Sequence, residues 1–187
     1  SLPFVKGQRV TLPEHRDAVE LDGLQEFTSG LQGPIAIDLF CGAGGLSLGL
    51  HDAGFNVILG VDNNAESAAT HRAYFPGSSI EADLSDPDTI DRITGALSGI
   101  NIDLVAGSPP CQSFSRASQS VMKFLANQPG GTDHDPRRDL WLNFLEVVKR
   151  ISPRAIIMEN VPDLCFGNYT GIFRQQISSL EKIGYNV

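Results

Sequence analysis

The chain has 187 residues, 41% of them apolar, which suits one domain with a buried core and is short for two. No apolar run approaches the roughly 18 residues that a membrane helix needs, and Ser1 to Lys6 lacks the apolar centre of a signal peptide, so a soluble, cytoplasmic protein is expected. The formal charge of −8 argues against a uniformly basic surface. Any contact with nucleic acid, which draws on Lys and Arg, must come from a local patch or from outside this chain. Three cysteines, at 41, 111 and 165, and four scattered histidines give neither a disulfide framework nor a metal cluster, so no metal is expected.

Residues 1–34 are polar and read as an irregular leader, ending in the turn-like run Ser29 to Pro34. From Ile35 the pattern changes to alternating strands and helices. Ile35 to Phe40 reads as a strand, Gly45 to Ala53 as a helix stopped by Gly54, and Val57 to Val61 as a second strand. A helix from about Ala65 to Tyr74, a weak strand at Ser79 to Glu81 and a helix at Pro87 to Leu97 follow, the last with proline in its first turn. Ile102 to Ala106 is apolar enough for a strand buried on both faces. Phe114 to Asp135 has little periodicity and contains Gln128-Pro129-Gly130-Gly131; a loop of about twenty residues suits a functional lid better than a connector. Arg137 to Arg150 has helical apolar spacing, Arg154 to Met158 reads as a fifth strand and Gly171 to Lys182 as a helix, and Gly184 to Val187 looks like the start of a sixth strand.

This alternation predicts an α/β domain over residues 35–187, built on a doubly wound, mainly parallel sheet. Ligands of such sheets bind beyond the C-terminal strand ends, where the strand order switches. The chemically suggestive residues all fall there. Gly42, Gly44 and Gly45 follow the first strand and allow a tight turn and close backbone approach. Asp62 ends the second strand and suits a ribose diol, in a dinucleotide fold or in any other nucleoside-binding one. Cys111 follows the fourth strand in a proline-stiffened loop, where a thiol is exposed enough to act as a nucleophile. Glu159 ends the apolar fifth strand, a costly place for a carboxyl group without a partner or a task.

Three segments make the reading specific: Asp38-Leu39-Phe40-Cys41-Gly42-Ala43-Gly44-Gly45, Ser108-Pro109-Pro110-Cys111-Gln112 and Met158-Glu159-Asn160-Val161-Pro162. In this order they resemble the motifs of the DNA cytosine-5 methyltransferase family, over about residues 35–187. The resemblance implies the Rossmann-like fold of S-adenosylmethionine-dependent methyltransferases. It also implies methyl transfer to carbon 5 of a cytosine flipped out of duplex DNA, with S-adenosylhomocysteine as product. By that resemblance Phe40, Gly42, Gly44, Gly45 and Leu46 line the cofactor, Asp62 holds the ribose and Asn63 lies beside the adenine. Asp83 and Leu84 meet the adenine amino group and ring, and Leu140 adds an apolar contact. For Asp83 a plain turn or helix-capping role stands equally open. Cys111, preceded by Pro110, is the nucleophile; Glu159 contacts the target base, Asn160 orders the backbone beside it and Val161 shapes the pocket wall. Gln112, Ser115 and Arg116 are candidates for phosphate contacts at the start of the mobile loop, in which Ser120 to Gly131 reads as an insertion.

The family continues past this region with a target-recognition part, so the domain is expected to be truncated after about five strands. It would then be either a fragment or one subunit whose second chain supplies the rest. The same chemistry on a structured RNA such as tRNA is the nearest alternative, although Ser113-Phe114-Ser115 fits the DNA branch better than the Pro-Phe-Thr of the RNA branch. A non-catalytic scaffold is the other, and intact Cys111 and Glu159 argue against it.

Overall fold

The computed structural model describes residues 13–110, 140–162 and 170–187. A 3-10 turn, Leu21–Gly23, leads into α1, Leu24–Ser29. Then come β1, Ile35–Leu39; α2, Gly45–Asp52; β2, Asn56–Asp62; α3, Ala65–Tyr74; β3, Ser78–Glu81; and α4, Pro87–Ala96. The remainder is β4, Leu104–Gly107; α5, Leu140–Ile151; β5, Ala155–Met158; and α6, Thr170–Lys182. The strands pair in parallel in the order β3-β2-β1-β4-β5. The chain therefore walks outward from β1 to β3, then crosses back to the other side of β1. That crossing puts the switch in strand order between β1 and β4, where such sheets open a crevice at their C-terminal ends.

Local chemistry accounts for the helix starts. Asn64 caps α3 by accepting from the Ser67 amide at 2.8 Å. Asp86 caps α4 by accepting from Asp88, and Pro87 fits the first turn because its missing N–H has no partner there in any case. α2 begins at Gly44, which has no side chain to cap with.

The two faces of the sheet differ. Ile37, Leu39, Leu59, Val61 and Val105 face the larger cluster, with Ile90 and Ile93 of α4 and Phe144, Val147 and Val148 of α5. Ala36, Val57, Leu104 and Ala106 face the smaller one with Leu50 of α2. Parallel strands covered on both sides need apolar side chains on both, and β4 is buried throughout. On Phe144's side Gly107 leaves no room for more: a Cβ there would stand 2.8 Å from the Phe144 ring and 2.7 Å from the Leu39 carbonyl oxygen.

The strands and helices lie within a few residues of their sequence-based positions. Two departures have physical causes. β4 starts at Leu104 rather than Ile102; the Asp103 carboxylate just before it accepts from the Ile35 amide at 2.9 Å and pairs with Arg154 at 3.1 Å. Gly184 to Val187 form no sixth strand among the described residues; Tyr185 instead donates its hydroxyl to the Pro153 carbonyl at 2.6 Å, which holds this segment beside the start of β5 rather than along it. The leader is also less irregular than its polarity suggests. Leu24 is fully buried in the larger cluster, with Val19, Leu21, Phe27 and Leu31 packed against it, and Ala18 bridges to Gly77 beside β3.

β5 is the uncovered edge. Ile157 is 43% exposed, and a groove of about 530 Å³ runs between the strand and α6. Among the described residues no helix is long and apolar enough to cross a membrane.

Phe144 and Leu142 sit two residues apart on α5, the first fully buried and the second 52% exposed. Phe144→Ala is expected to lower unfolding free energy by about 3–5 kcal/mol through cavity formation. Leu142→Ala should change it by less than about 0.5 kcal/mol. Urea titrations of both variants test this; equal effects would mean that α5 presents a different face to the sheet.

Candidate functional site

At the C-terminal ends of the strands the connecting residues are stitched together in sheet order. The Ala82 amide donates to the Asp62 carbonyl (2.9 Å), the Cys41 amide to Val61 (3.0 Å), the Ser108 amide to Leu39 (3.2 Å) and the Glu159 amide to Gly107 (3.0 Å). Each bond extends a strand pairing by one step beyond the ladder, so the segments after all five strands leave the sheet along one rim.

The turn between β1 and α2 is the most constrained of them. Phe40 (φ 61°), Gly42 (φ 53°) and Gly44 (φ 100°) are all left-handed, a region that only glycine enters freely. Gly44 faces inward: a Cβ there would fall 2.3 Å from the Phe75 ring and 3.2 Å from His71. A Cβ at Gly42 or Gly45 would meet nothing within 4 Å. The outer side of the turn is therefore open, and its backbone is free to approach a ligand closely. Asp62 holds this turn from the neighbouring strand. One carboxylate oxygen accepts from the Gly42 amide and the other from the Asn64 amide, both at 2.9 Å. Each oxygen keeps a second lone pair, so Asp62 can still receive a diol.

The other expected cofactor residues distribute as follows. Phe40 and Leu46 are half-buried, Asn63 is exposed beside Asp62, and Leu140 is buried at the start of α5. Leu84 is buried and its carbonyl accepts from the Asn143 side chain at 2.6 Å, which ties this loop to α5. Asp83 is exposed and accepts from the Ser85 amide at 2.8 Å, the local turn role left open above; the bond uses one oxygen and leaves the other available. Cys41 is buried, and burial beside Asp38 and Asp62 pushes its thiol well above the usual range, so it behaves as an inert packing group.

On the other half of the rim, Pro110 is the last described residue before Cys111. Cys111 itself, with Gln112, Ser115, Arg116 and the loop 114–135, lies outside the described residues. Glu159 is exposed at the end of β5, and Val161 is 39% exposed. Asn160 is the link between the motifs. Its Oδ1 accepts from the Val161 amide at 2.7 Å and its Nδ2 donates to the Pro109 carbonyl at 3.3 Å, tying the Glu159 segment to the loop that leads into Cys111. Among the described residues no group of three or more His, Cys, Asp or Glu is placed to hold a metal.

A second set of residues had no role in the sequence reading. Asp38, Ser47, His71 and Ser79 are all essentially buried. Ser47 Oγ lies 2.6 Å from Asp38 Oδ2 and 2.9 Å from His71 Nε2, and His71 Nδ1 lies 2.7 Å from Ser79 Oγ. Burial pushes Asp38 up to about 6, partly offset by hydrogen bonds from the Ser47 hydroxyl and amide, and pushes His71 down to about 4, partly offset by the charge of Asp62. A signal for this group did exist: Gly60 in the middle of an apolar strand marks a close approach, and a Cβ there would lie 2.5 Å from the His71 ring.

A parallel sheet in this order, bearing a glycine turn at its switch point and a carboxylate on the adjoining strand end, defines a Rossmann-like class. The C-5 cytosine-specific DNA methylase family model matches residues 35–187, and the chain belongs to that family. It is 37% identical over 153 residues to the type II methyltransferase M1.HphI of Haemophilus parahaemolyticus, and 33% identical over 157 residues to M.XorII of Xanthomonas oryzae. These alignments cover 81% and 82% of this chain but only 38% and 34% of the relatives, so the chain spans little more than a third of their length. Among solved structures, a putative DNA modification methyltransferase encoded in an Escherichia coli prophage aligns with a TM-score of 0.59 at 28% identity, over 80% of this chain and 38% of that one.

The buried pair predicts an unusual pH dependence. Asp38 is held protonated more readily in the fold than in the unfolded chain, so its contribution to stability is lost as pH rises from about 4 through about 6. His71 is held neutral, so its contribution is lost as pH falls from 6.5 through about 4. The two slopes oppose each other across the same window. Asp38→Asn removes the first, and its urea midpoint should climb steadily from about pH 4 to 6.5 while that of the unsubstituted chain changes less. A level midpoint in the variant would mean that His71 is not buried as a neutral ring.

Proposed function

We propose that this chain carries the cofactor-binding and nucleophile-bearing part of an enzyme that methylates carbon 5 of cytosine in duplex DNA. The reading includes the modification half of a restriction-modification pair; the relatives are named as type II methyltransferases. The observation that carries it is the Asn160 bridge to Pro109. That bridge ties the Glu159 segment to Pro109, two residues ahead of Cys111 in the chain, at the rim that also holds the glycine turn and Asp62.

The residues present fit S-adenosylmethionine. The open side of Gly42 and Gly45 accepts a close-lying ligand and Asp62 has acceptor capacity for a ribose; half-buried Phe40 and Leu46 and exposed Asn63 and Asp83 complete the set that the resemblance implies, with Leu84 and Leu140 as its buried apolar backing. When bound, the cofactor supplies an electrophilic methyl group and leaves as S-adenosylhomocysteine.

The rest is work for the protein's own groups. Carbon 5 of cytosine is a weak nucleophile. The thiolate of Cys111 forms a bond to C6, the C5–C6 electron pair shifts onto C5, and Glu159 stabilises the ring by a hydrogen bond at N3. Once C5 has gained its substituent, a base removes the C5 proton, the C5–C6 double bond reforms and the thiolate departs. Pro110 and Asn160 hold the backbone of the two reacting segments, and Val161 closes one wall. The target base must leave the helix to reach this crevice, with Gln112, Ser115 and Arg116 on the phosphates beside it. Target recognition comes, in this proposal, from a part outside these 187 residues, in the same polypeptide or in a second chain.

The test is covalent trapping on a duplex containing 5-fluorocytosine, with S-adenosylmethionine present. It is run on this chain, on a polypeptide extended past Val187, and on Cys111→Ala in each. After methyl transfer the fluorine cannot depart as a cation, so the thioether to C6 persists. The expected result is a denaturant-resistant complex that disappears with Cys111→Ala, and methylation by Glu159→Gln at least about 100-fold slower, within the usual contribution of a positioned acid. Absence of a complex from either polypeptide, with S-adenosylmethionine bound, would overturn the DNA reading. A complex on tRNA alone would move the substrate to RNA.

A further inference from the structure

Across the face of the sheet covered by α2 and α3, Asp38 of β1 stands in register with Gly60 of β2, and Gly60 with Ser79 of β3. Gly60 leaves a gap between two polar side chains, and the His71 ring of α3 fills it: a Cβ at Gly60 would lie 2.5–2.7 Å from three atoms of the imidazole. The ring reaches Ser79 on one side and Ser47 on the other, and Ser47 reaches Asp38.

The direction of these bonds follows from the charge states. A neutral imidazole has one donor and one acceptor. Ser47 donates its hydroxyl to the Asp38 carboxylate, because an ionised carboxylate only accepts; its oxygen must then accept from His71, which places the ring proton on Nε2. Nδ1 is left to accept from the Ser79 hydroxyl. The chain runs one way from Ser79 to Asp38, and reversing any bond would leave two donors or two acceptors facing each other.

The far end of this chain is the turn. α2 begins at Gly44 with no capping side chain. Asp38 accepts from the hydroxyl of Ser47, the third residue of the helix, at 2.6 Å and so ties the first turn of α2 to β1. The same imidazole lies under Gly44, and Phe75, its ring tilted 30° to that of His71 at 4.5 Å, meets that glycine's inner side. The turn therefore rests on this chain from below while its outer side stays open.

We propose that Ser47, His71 and Ser79 are positioning residues for the glycine-rich turn: they orient Asp38 beneath α2, and the turn's affinity for S-adenosylmethionine depends on a hydrogen-bond chain that touches no cofactor atom. The cofactor part rests on the function proposed above; the turn-holding part stands on the buried geometry alone.

The test compares Ser47→Ala and His71→Leu, which break the chain, with His71→Gln, which keeps a donor toward Ser47. Ile93→Ala in α4 serves as a destabilised control remote from the turn. Three readouts are taken on each protein: the ¹⁵N signature of the His71 ring, hydrogen exchange of the amides of residues 42–46, and S-adenosylmethionine affinity by calorimetry. The expected results are a His71 ring protonated on Nε2 and bare on Nδ1 in the unsubstituted chain, and turn amides that exchange about tenfold faster in Ser47→Ala. Cofactor affinity should fall about tenfold in the two broken variants, the effect of one lost buried hydrogen bond, with partial recovery in His71→Gln.

The proposal is overturned if the ring proton sits on Nδ1, or if exchange and affinity in Ser47→Ala merely follow Ile93→Ala. Failure of the unsubstituted chain to bind S-adenosylmethionine would instead refute the cofactor reading of the previous section and with it the affinity part of this one. The exchange data would still decide whether the chain holds the turn.

Discussion

The turn from β1 into α2 must reverse direction within a few residues, and residues 40, 42 and 44 meet that demand with left-handed backbone. Such a turn has few internal bonds of its own. It is held by its neighbours: Asp62 takes the Gly42 amide from one side, and His71 and Phe75 press on Gly44 from beneath. Each support comes from a different element, so the turn exists only when β2 and α3 are already packed beside β1. The rim at which all five strands end takes its shape from that requirement.

Two kinds of force divide the work around this turn. Apolar burial fixes the position of the sheet and its helices, since the two clusters cover β1 and β4 from opposite sides. Burial is not directional, however, and cannot orient a loop. Orientation comes from hydrogen bonds of polar side chains: Asp62 accepts from the Gly42 and Asn64 amides, Asp38 accepts from the Ser47 hydroxyl, and Asn160 accepts from the Val161 amide and donates to the Pro109 carbonyl. These few contacts are short in reach and strict in angle. A fold with the same core and different residues at those positions would keep its sheet and lose its site.

The buried polar group carries a cost as well as a use. One oxygen of Asp38 has no hydrogen-bond partner among the described residues. Leaving a buried polar atom unpaired costs about 1–3 kcal/mol, and burial lifts the carboxyl group to about 6. Asp38 and His71 move in opposite directions because burial opposes charge of either sign. Near neutral pH this leaves a single negative charge under the turn, shared through one chain of hydroxyls and one neutral ring.

Much of this was legible in the chain itself. Periodicity located the strands and helices because β-branched runs and 3.6-residue spacing reflect burial that any packing must satisfy. Glycines 42, 44 and 45, Asp62 and the Glu159-Asn160 pair could be placed at strand ends, since their neighbours in sequence already define those ends. What a linear reading could not supply was contact between residues far apart in the chain. His71 read as one scattered histidine and Gly60 as an ordinary strand residue, because their meeting depends on α3 crossing β2 at one particular height. Leu24 read as part of a polar leader, and only the closed core shows that its side chain is buried. Asp83 could be assigned equally to a turn or to a ligand, and the fold supplied its turn bond to Ser85. The sequence determined which segments are strand, helix and turn, because those choices rest on local backbone preference and on apolar spacing. The tertiary structure alone decided which polar groups meet, because a hydrogen bond needs two atoms within about 3 Å, and only the packing of whole elements sets that distance.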